Sequence, residues 1–273
     1  MIIGAGVHDA EQATAAARRR KLKTPAAVTD AAAVLAAVQA VATGADPEQP
    51  PLPAKAGDVA QTIAEHAAAL RLADHTRRTA DRYQDQAADR YILAVRAAAP
   101  GWITALGKEF TALVTALREA APKLPADTDT TRIDWTDPKV SAAWQQAEGA
   151  AVQLDQLVSD RDVISRVCGR DAARDNQLYA IAAVPQPTVD HVAADQWRRH
   201  IAPAIAQWRE LRQQPVSRWV HLARQDALTL DLATTPAEVH QRAATAETWR
   251  EATIAQISGG DPSRPITRLH AGR

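Results

Sequence analysis

The sequence contains one cysteine, Cys168, and this scarcity excludes two kinds of site. A single thiol can form neither an internal disulfide framework nor a metal site built from several cysteines. No run approaches the roughly eighteen apolar residues of a membrane-spanning helix, and the chain does not open with a basic segment followed by a long apolar core. We therefore expect no membrane association and a cytoplasmic location, or a virion if the chain comes from a phage.

An excess of charge of one sign is also lacking, because 32 Lys and Arg balance 32 Asp and Glu. A net charge of zero gives no long-range attraction to nucleic acid or to anionic lipid. Large apolar residues are scarce too: alanine supplies much of the apolar fraction, while Phe and Met occur once each. We expect thin hydrophobic cores in which Trp, Leu, Ile and Val are separated by alanine.

Sequence motifs that carry chemistry are absent. The chain has no His-Glu-x-x-His pair, no Gly-x-Ser-x-Gly elbow and no Gly-x-x-x-x-Gly-Lys phosphate loop. Gly4 and Gly6 begin like a dinucleotide-binding turn, but Asp9 stands in place of the third glycine. Residues 127–131 begin like a calcium loop that then lacks its turn glycine and its glutamate. We therefore predict no catalytic residue, no cofactor and no metal ion.

One long helix is the strongest structural signal. Residues 58–99 contain neither Gly nor Pro; Asp58 is a good N-cap, and Pro100-Gly101 predicts the end of the helix. Counting by sevens reveals an alanine-rich heptad seam. The residues of this predicted helix-packing seam are Ile63, Leu70, Ala73, Ala80, Ala87, Tyr91 and Ala94. Small side chains favour close packing of a second helix, from the same chain or another copy; the alternative is an amphipathic helix on the surface.

The remaining patterns predict an all-α fold. Residues 102–121 repeat apolar positions every three or four residues, so we expect them to fold back on the long helix as a helical hairpin. Proline-rich residues 45–57 predict a stiff spacer, with a polyproline ligand as the alternative. We predict an elongated multi-helix bundle with a long central helix, antiparallel helical hairpins and no sheet. The predicted units are an N-terminal helical unit (1–125), a linker (126–137), a C-terminal helical unit (138–258) and an extended tail (259–273).

Two residue groups are candidates for binding a partner. The basic group near the end of the first predicted helix contains Arg18, Arg19, Arg20, Lys21 and Lys23. It either complements the helix dipole or contacts an acidic protein or nucleic acid. The second group, Trp197, Trp208 and Trp219, recurs every eleven residues. These tryptophans are either core anchors or a binding strip, since Trp is enriched at binding hot spots.

These observations favour a non-catalytic structural or assembly protein that works through helical surfaces and binds a protein partner or itself. Capsid, connector and scaffolding proteins of bacteriophage virions are one class with this build. One alternative is a regulatory, nucleic-acid-associated protein that uses the basic group. Another is an enzyme whose site is assembled from distant helices.

Overall fold

A computed structural model describes residues 2–126, 128, 133–169 and 176–271. These residues form ten α-helices and one small sheet, so the predicted all-α class is confirmed. The helices are α1 (Ile2–Arg19), α2 (Ala26–Ala42), α3 (Ala56–Ala120), α4 (Pro138–Arg166), α5 (Asn176–Tyr179), α6 (Val189–Ala193), α7 (Ala202–Glu210), α8 (Pro215–Arg224), α9 (Pro236–Ile257) and α10 (Ser263–Ala271). Short 3₁₀ turns occupy Ala121–Lys123 and Leu211–Gln213, and a π-helical turn occupies Trp197–Ile201.

The long helix is present, but its predicted end was wrong. α3 continues through Pro100 for another twenty residues, so the predicted hairpin of 58–99 with 102–121 does not form. A proline inside a helix costs about 3 kcal/mol, because it lacks an N–H and its ring crowds the preceding turn. Beyond it, Ile103, Leu106 and Phe110 are all buried at helical spacing. The free energy gained by burying these three side chains offsets the cost of placing Pro100 inside the helix.

The prediction of no sheet was also wrong. Strands β1 (Ala182–Ala183) and β2 (Thr229–Leu230) pair in antiparallel register, with Ala182 opposite Leu230. Backbone hydrogen bonds prolong the pairing, since the Asp231 N–H donates to the Ile181 carbonyl at 2.9 Å. Strands of two residues are too short to show an alternating pattern in the sequence. Their pairing satisfies backbone groups in an otherwise helical region.

The chain divides into two compact units, residues 1–98 and 99–273. The predicted linker, 126–137, falls inside the second unit, and the predicted domain boundaries stay a prediction. Of the calcium-loop-like segment, residues 127 and 129–132 lie outside the described residues. The tail, predicted to be extended, instead contains α10, which packs along α9 and buries Ile266. The Asp261 side chain starts this helix by accepting a hydrogen bond from the Ser263 N–H at 2.9 Å.

Small side chains dominate the core of the first unit. On α1, Ala10, Ala13 and Ala17 are completely buried. The hydroxyls of Thr14 on α1 and Tyr91 on α3 lie 3.1 Å apart, and both side chains are buried. Because alanine allows helix axes to approach closely, the contact depends on many weak dispersion interactions with one buried polar pair at its centre.

In the second unit, Arg224 holds the turn that follows α3. Its guanidinium donates two hydrogen bonds to the Ala121 carbonyl, at 3.2 and 2.8 Å. It also donates to the carbonyls of Leu124 (2.7 Å), Pro125 (2.9 Å) and Ala126 (3.1 Å). These carbonyls belong to residues that directly follow the end of α3 at Ala120. A cation close to the carboxyl end of a helix also complements the negative end of the helix dipole.

A second arginine, Arg242, ties α9 to the sheet. Its side chain is 8% exposed and donates to the Asp231 carbonyl at 2.7 Å and to the Asp231 carboxylate at 2.5 Å. It also donates to the Glu238 carboxylate at 2.6 Å. Glu238 lies in the first turn of α9, where its N–H donates to the hydroxyl of the N-cap residue Thr235 at 3.2 Å.

Candidate functional sites

The predicted seam on α3 is only partly buried. Ala80, Ala87 and Tyr91 are buried in the first unit. Leu70, Ala73 and Ala94 are half-buried, whereas Ile63 is 62% exposed. The function of this seam in binding a second copy stays a prediction.

A groove runs between α2 and α3 where part of the seam is open. It consists of two adjoining cavities of about 510 and 360 Å³ that share Val41 and Thr76. We call it the α2–α3 groove and define it by Ala37, Val41, Ala73, Thr76, Ala80 and Tyr83. The walls are mainly small or apolar, and Leu72 at one end is 67% exposed. Exposed apolar surface of this kind is typical of protein interaction sites.

Arg77 holds the proline-rich segment at one end of the groove. Its guanidinium donates to the Gly44 carbonyl at 3.1 Å and pairs with the Asp46 carboxylate at 2.7 Å. Pro50 and Pro53, the two prolines that a polyproline receptor would contact, are half-buried. Their partial burial supports the spacer interpretation.

The basic group Arg18–Lys23 surrounds the end of α1. Lys21 adopts the left-handed conformation, with φ of 55°. Its N–H donates to the Arg18 carbonyl, and the Leu22 N–H donates to the Ala17 carbonyl, both at 2.9 Å. These two bonds define a Schellman motif with lysine in the position usually taken by glycine. Arg18, Arg19 and Lys23 are exposed and Arg20 is half-buried, so these cations lie where the helix dipole favours them.

The three tryptophans separate into two environments. Trp208 and Trp219 are buried in edge-to-face contact, with ring centroids 5.5 Å apart. The indole N–H of Trp219 donates to the Asp155 carboxylate at 2.8 Å. Trp197 is half-buried and stacks on Trp249, with a centroid distance of 6.4 Å. Two of the three are therefore core side chains, and the three do not form one continuous strip.

The second unit contains a cavity of about 690 Å³ that sequence analysis did not find. Its walls come from the π-helical turn, from α7 and α8, and from the chain that follows α8. We call it the α7–α8 cavity. Its polar lining residues are Gln196, Arg199, His200, Gln207, His221, Gln225 and Asp226. These residues come from several elements and form no motif along the chain, so the only signal available was the tryptophan- and proline-containing region itself.

One wall of the cavity has unusual backbone geometry. Asp195 adopts a positive φ of 58°, and the π-helical turn begins two residues later. The Ala202 N–H donates to the Trp197 carbonyl, five residues back. Pro203 follows and has no N–H to donate to the Arg199 carbonyl, so the α-helical hydrogen-bond pattern lacks one bond at this point. Such deviations are enriched at functional sites.

His221 and Gln225 have defined hydrogen-bonding roles in this wall. The Nε2 of His221 lies 3.1 Å from the Ala204 carbonyl; because a carbonyl only accepts, Nε2 carries the proton. Burial lowers the pKa of His221 and outweighs the Ala204 hydrogen bond, so the ring is neutral near pH 7 and its Nδ1 is an acceptor. The Gln225 Oε1 accepts from the Leu228 N–H at 3.2 Å. Its Nε2 is buried without an acceptor among the described residues.

Among the described residues, no three His, Cys, Asp or Glu side chains are grouped so that they could hold a metal ion. No helix in the described part of the chain combines the length and hydropathy needed to cross a bilayer. Comparison with protein-family models, with characterised proteins and with solved structures found no match to this chain.

Proposed function

We propose that this chain is a non-catalytic structural or assembly protein that binds an amphipathic helix of a protein partner in the α2–α3 groove. The observation that carries the proposal is the pairing of a small-residue floor with exposed apolar residues at its rim. Ala37, Ala73 and Ala80 line the groove, while Leu72 and Tyr83 are 67% and 55% exposed. Covering a large apolar side chain contributes about 1.5–3 kcal/mol, which favours association.

The dimensions of the groove suit a helix. On α3 its lining extends from Ala69 to Tyr83. At a rise of 1.5 Å per residue this stretch is about 21 Å long, enough for about four turns of a partner helix. The alanine floor leaves room for large side chains, which the partner would supply at positions i, i+3 or i+4, and i+7.

An exposed basic stripe of α3 that reaches the groove at His75 defines the partner further. Arg71, His75, Arg78 and Arg82 are all exposed on α3. Their spacing of four, three and four residues aligns them in one stripe, and His75 itself lines the groove. Arg78 pairs with Asp74 at 3.0 Å, but an exposed pair of this kind contributes little. We therefore expect Asp or Glu on the matching flank of the partner helix, where complementary charge would set its orientation.

Site-specific photo-crosslinking in cells of the source organism tests this proposal. A photoreactive amino acid replaces Thr79, which is exposed and lines the groove. The same amino acid at Val152, 48% exposed on α4, is the matched control. Crosslinks specific to position 79 should map to one amphipathic helical segment with an acidic flank, and Leu72→Asp should abolish them.

Three results would contradict the proposal: the same products from both positions, a crosslinked segment without an apolar helical face, or crosslinks to nucleic acid. The finer prediction of a bacteriophage virion or assembly component stays a prediction. The alternatives of a nucleic-acid-associated protein and an enzyme stay predictions as well.

A further inference from the structure

Two exposed side chains of opposite charge, Arg199 and Asp226, line the α7–α8 cavity. Neither side chain forms an ion pair with a described residue, and they do not pair with each other. The cavity volume of about 690 Å³ lies within the range typical of small-molecule sites. Two separated charges in one cavity of this size fit a ligand that carries both signs.

We propose that the α7–α8 cavity binds a free α-amino acid with a large apolar side chain. The guanidinium of Arg199 receives the carboxylate, for which its planar fork is well suited. The carboxylate of Asp226 receives the ammonium group. Ile201, Pro203 and Ala227 supply apolar wall for the side chain. This binding site is in the second unit and is independent of the α2–α3 groove.

The neighbouring polar groups support a zwitterionic ligand. Neutral His221 does not repel an ammonium group, and its Nδ1 can accept a hydrogen bond. Gln225 has the opposite property, because its buried Nε2 is a donor that has no acceptor among the described residues. A purely anionic ligand would face Asp226, and a purely cationic one would face Arg199; both would meet unfavourable charge.

Three matched probes separate these possibilities on the full-length chain. Isothermal titration calorimetry compares L-tryptophan, N-acetyl-L-tryptophan, which lacks the ammonium charge, and L-tryptophanamide, which lacks the carboxylate. L-Leucine and L-phenylalanine extend the series to other apolar side chains. At least one free amino acid should bind saturably, and blocking either end should weaken its binding by about 10- to 100-fold, as expected for loss of a charge-assisted hydrogen bond.

Two variants assign the ends of the ligand. Arg199→Gln should weaken the free amino acid but leave its amide unchanged, whereas Asp226→Asn should weaken the free amino acid but leave its N-acetyl form unchanged. Arg212→Gln is the control, because Arg212 is exposed and does not line the cavity. Circular dichroism checks that each variant folds.

The proposal fails if none of these amino acids binds saturably at millimolar concentration. It also fails if a blocked form binds as tightly as the free amino acid, or if Arg199→Gln and Asp226→Asn bind like Arg212→Gln. These outcomes are independent of crosslinking at position 79.

Discussion

Replacing the buried Arg242 with methionine should destabilise the second unit more than replacing an exposed arginine with methionine. Methionine keeps most of the aliphatic stem and removes the guanidinium. Arg242 is 8% exposed and donates hydrogen bonds to the carbonyls of Asp231 and Tyr179 and to the carboxylates of Asp231 and Glu238. Removing it leaves these acceptors without their donor.

The magnitude follows from the exposure of each acceptor. The Asp231 carboxylate is 60% exposed, so water replaces the lost donor at little cost. Glu238 is 34% exposed, and the Asp231 carbonyl lies against the buried guanidinium. Water can therefore replace fewer of the hydrogen bonds that these two acceptors lose. An unsatisfied buried group costs about 1–3 kcal/mol, and breaking a fully buried ion pair costs about 3–5 kcal/mol. We therefore expect Arg242→Met to lower the free energy of unfolding by about 2–4 kcal/mol.

The pH dependence supplies a second readout. Burial raises the pKa of Glu238, but hydrogen bonds from Thr234 and Arg242 outweigh it and leave the pKa below its usual value of 4.5. A carboxylate with a lowered pKa stabilises the fold above pH 4.5, and this contribution is lost as the pH falls through the folded-state pKa. Arg242→Met should therefore flatten the loss of stability in acid.

Urea unfolding, followed by circular dichroism, measures the free energy of unfolding of Arg242→Met. Hydrogen exchange of the α9 amides shows whether the loss of stability lies in this helix. Arg250→Met on the same helix is the control, because Arg250 and Glu247 form an exposed pair with side chains 58% and 50% accessible. That variant should unfold like the unmodified chain. A loss below about 0.5 kcal/mol for Arg242→Met, within the range of ordinary surface substitutions, would refute the reasoning.

Three further predictions concern backbone strain, packing and pH. Lys21→Gly should raise the free energy of unfolding by about 1 kcal/mol in urea titrations, because it relieves the left-handed conformation; Lys23→Gly should give no gain. Ala87→Leu should lower the melting temperature through overpacking that costs about 1–3 kcal/mol, whereas exposed Ala97→Leu should not. Because the pKa of His221 is lowered in the folded chain, the unfolded chain binds a proton at this histidine at higher pH than the folded chain does. The free energy of unfolding should therefore fall as the pH drops below about 6.5, and His221→Gln should make this fall smaller between about pH 7.5 and 5.5.

Each of these predictions has a contrary result. Equal stability of Lys21→Gly and the unmodified chain would show that the turn is unstrained. An unchanged melting temperature for Ala87→Leu would mean that α3 is loosely packed at that position. Parallel pH curves for His221→Gln and the unmodified chain would show that the histidine has the same pKa folded and unfolded.

Local signals predicted the helices well, because helix formation depends on neighbours three and four residues away. The run without Gly or Pro that follows Asp58 is of this kind, and its helix is present. The prediction that α3 ends at Pro100 was wrong. The free-energy cost of a proline inside a helix can be recognised in the sequence, but the compensating burial of Ile103 and Leu106 depends on residues distant in the chain. The two-residue strands were missed for a similar reason: Ala182 pairs with Leu230 across 48 positions.

The candidate sites were less predictable than the fold. The α2–α3 groove includes Ala73 and Ala80 of the predicted seam, so the heptad count found one wall but not the open space beside it. The α7–α8 cavity has no sequence motif, because its charged residues Arg199 and Asp226 lie 27 positions apart and are opposite in charge. One arginine and one aspartate cancel in the net charge, and only the folded structure shows that both line the same cavity.

The reach of Arg224 has a consequence for the order in which the chain acquires its structure during synthesis. Arg224, whose guanidinium holds the turn that follows α3, is encoded 103 residues after Ala121. At a translation rate of about 5–20 residues per second, the carbonyls of that turn wait roughly 5–20 s for this donor. A ribosome paused before codon 224 would therefore hold a nascent chain in which the turn after α3 still lacks the hydrogen bonds from Arg224.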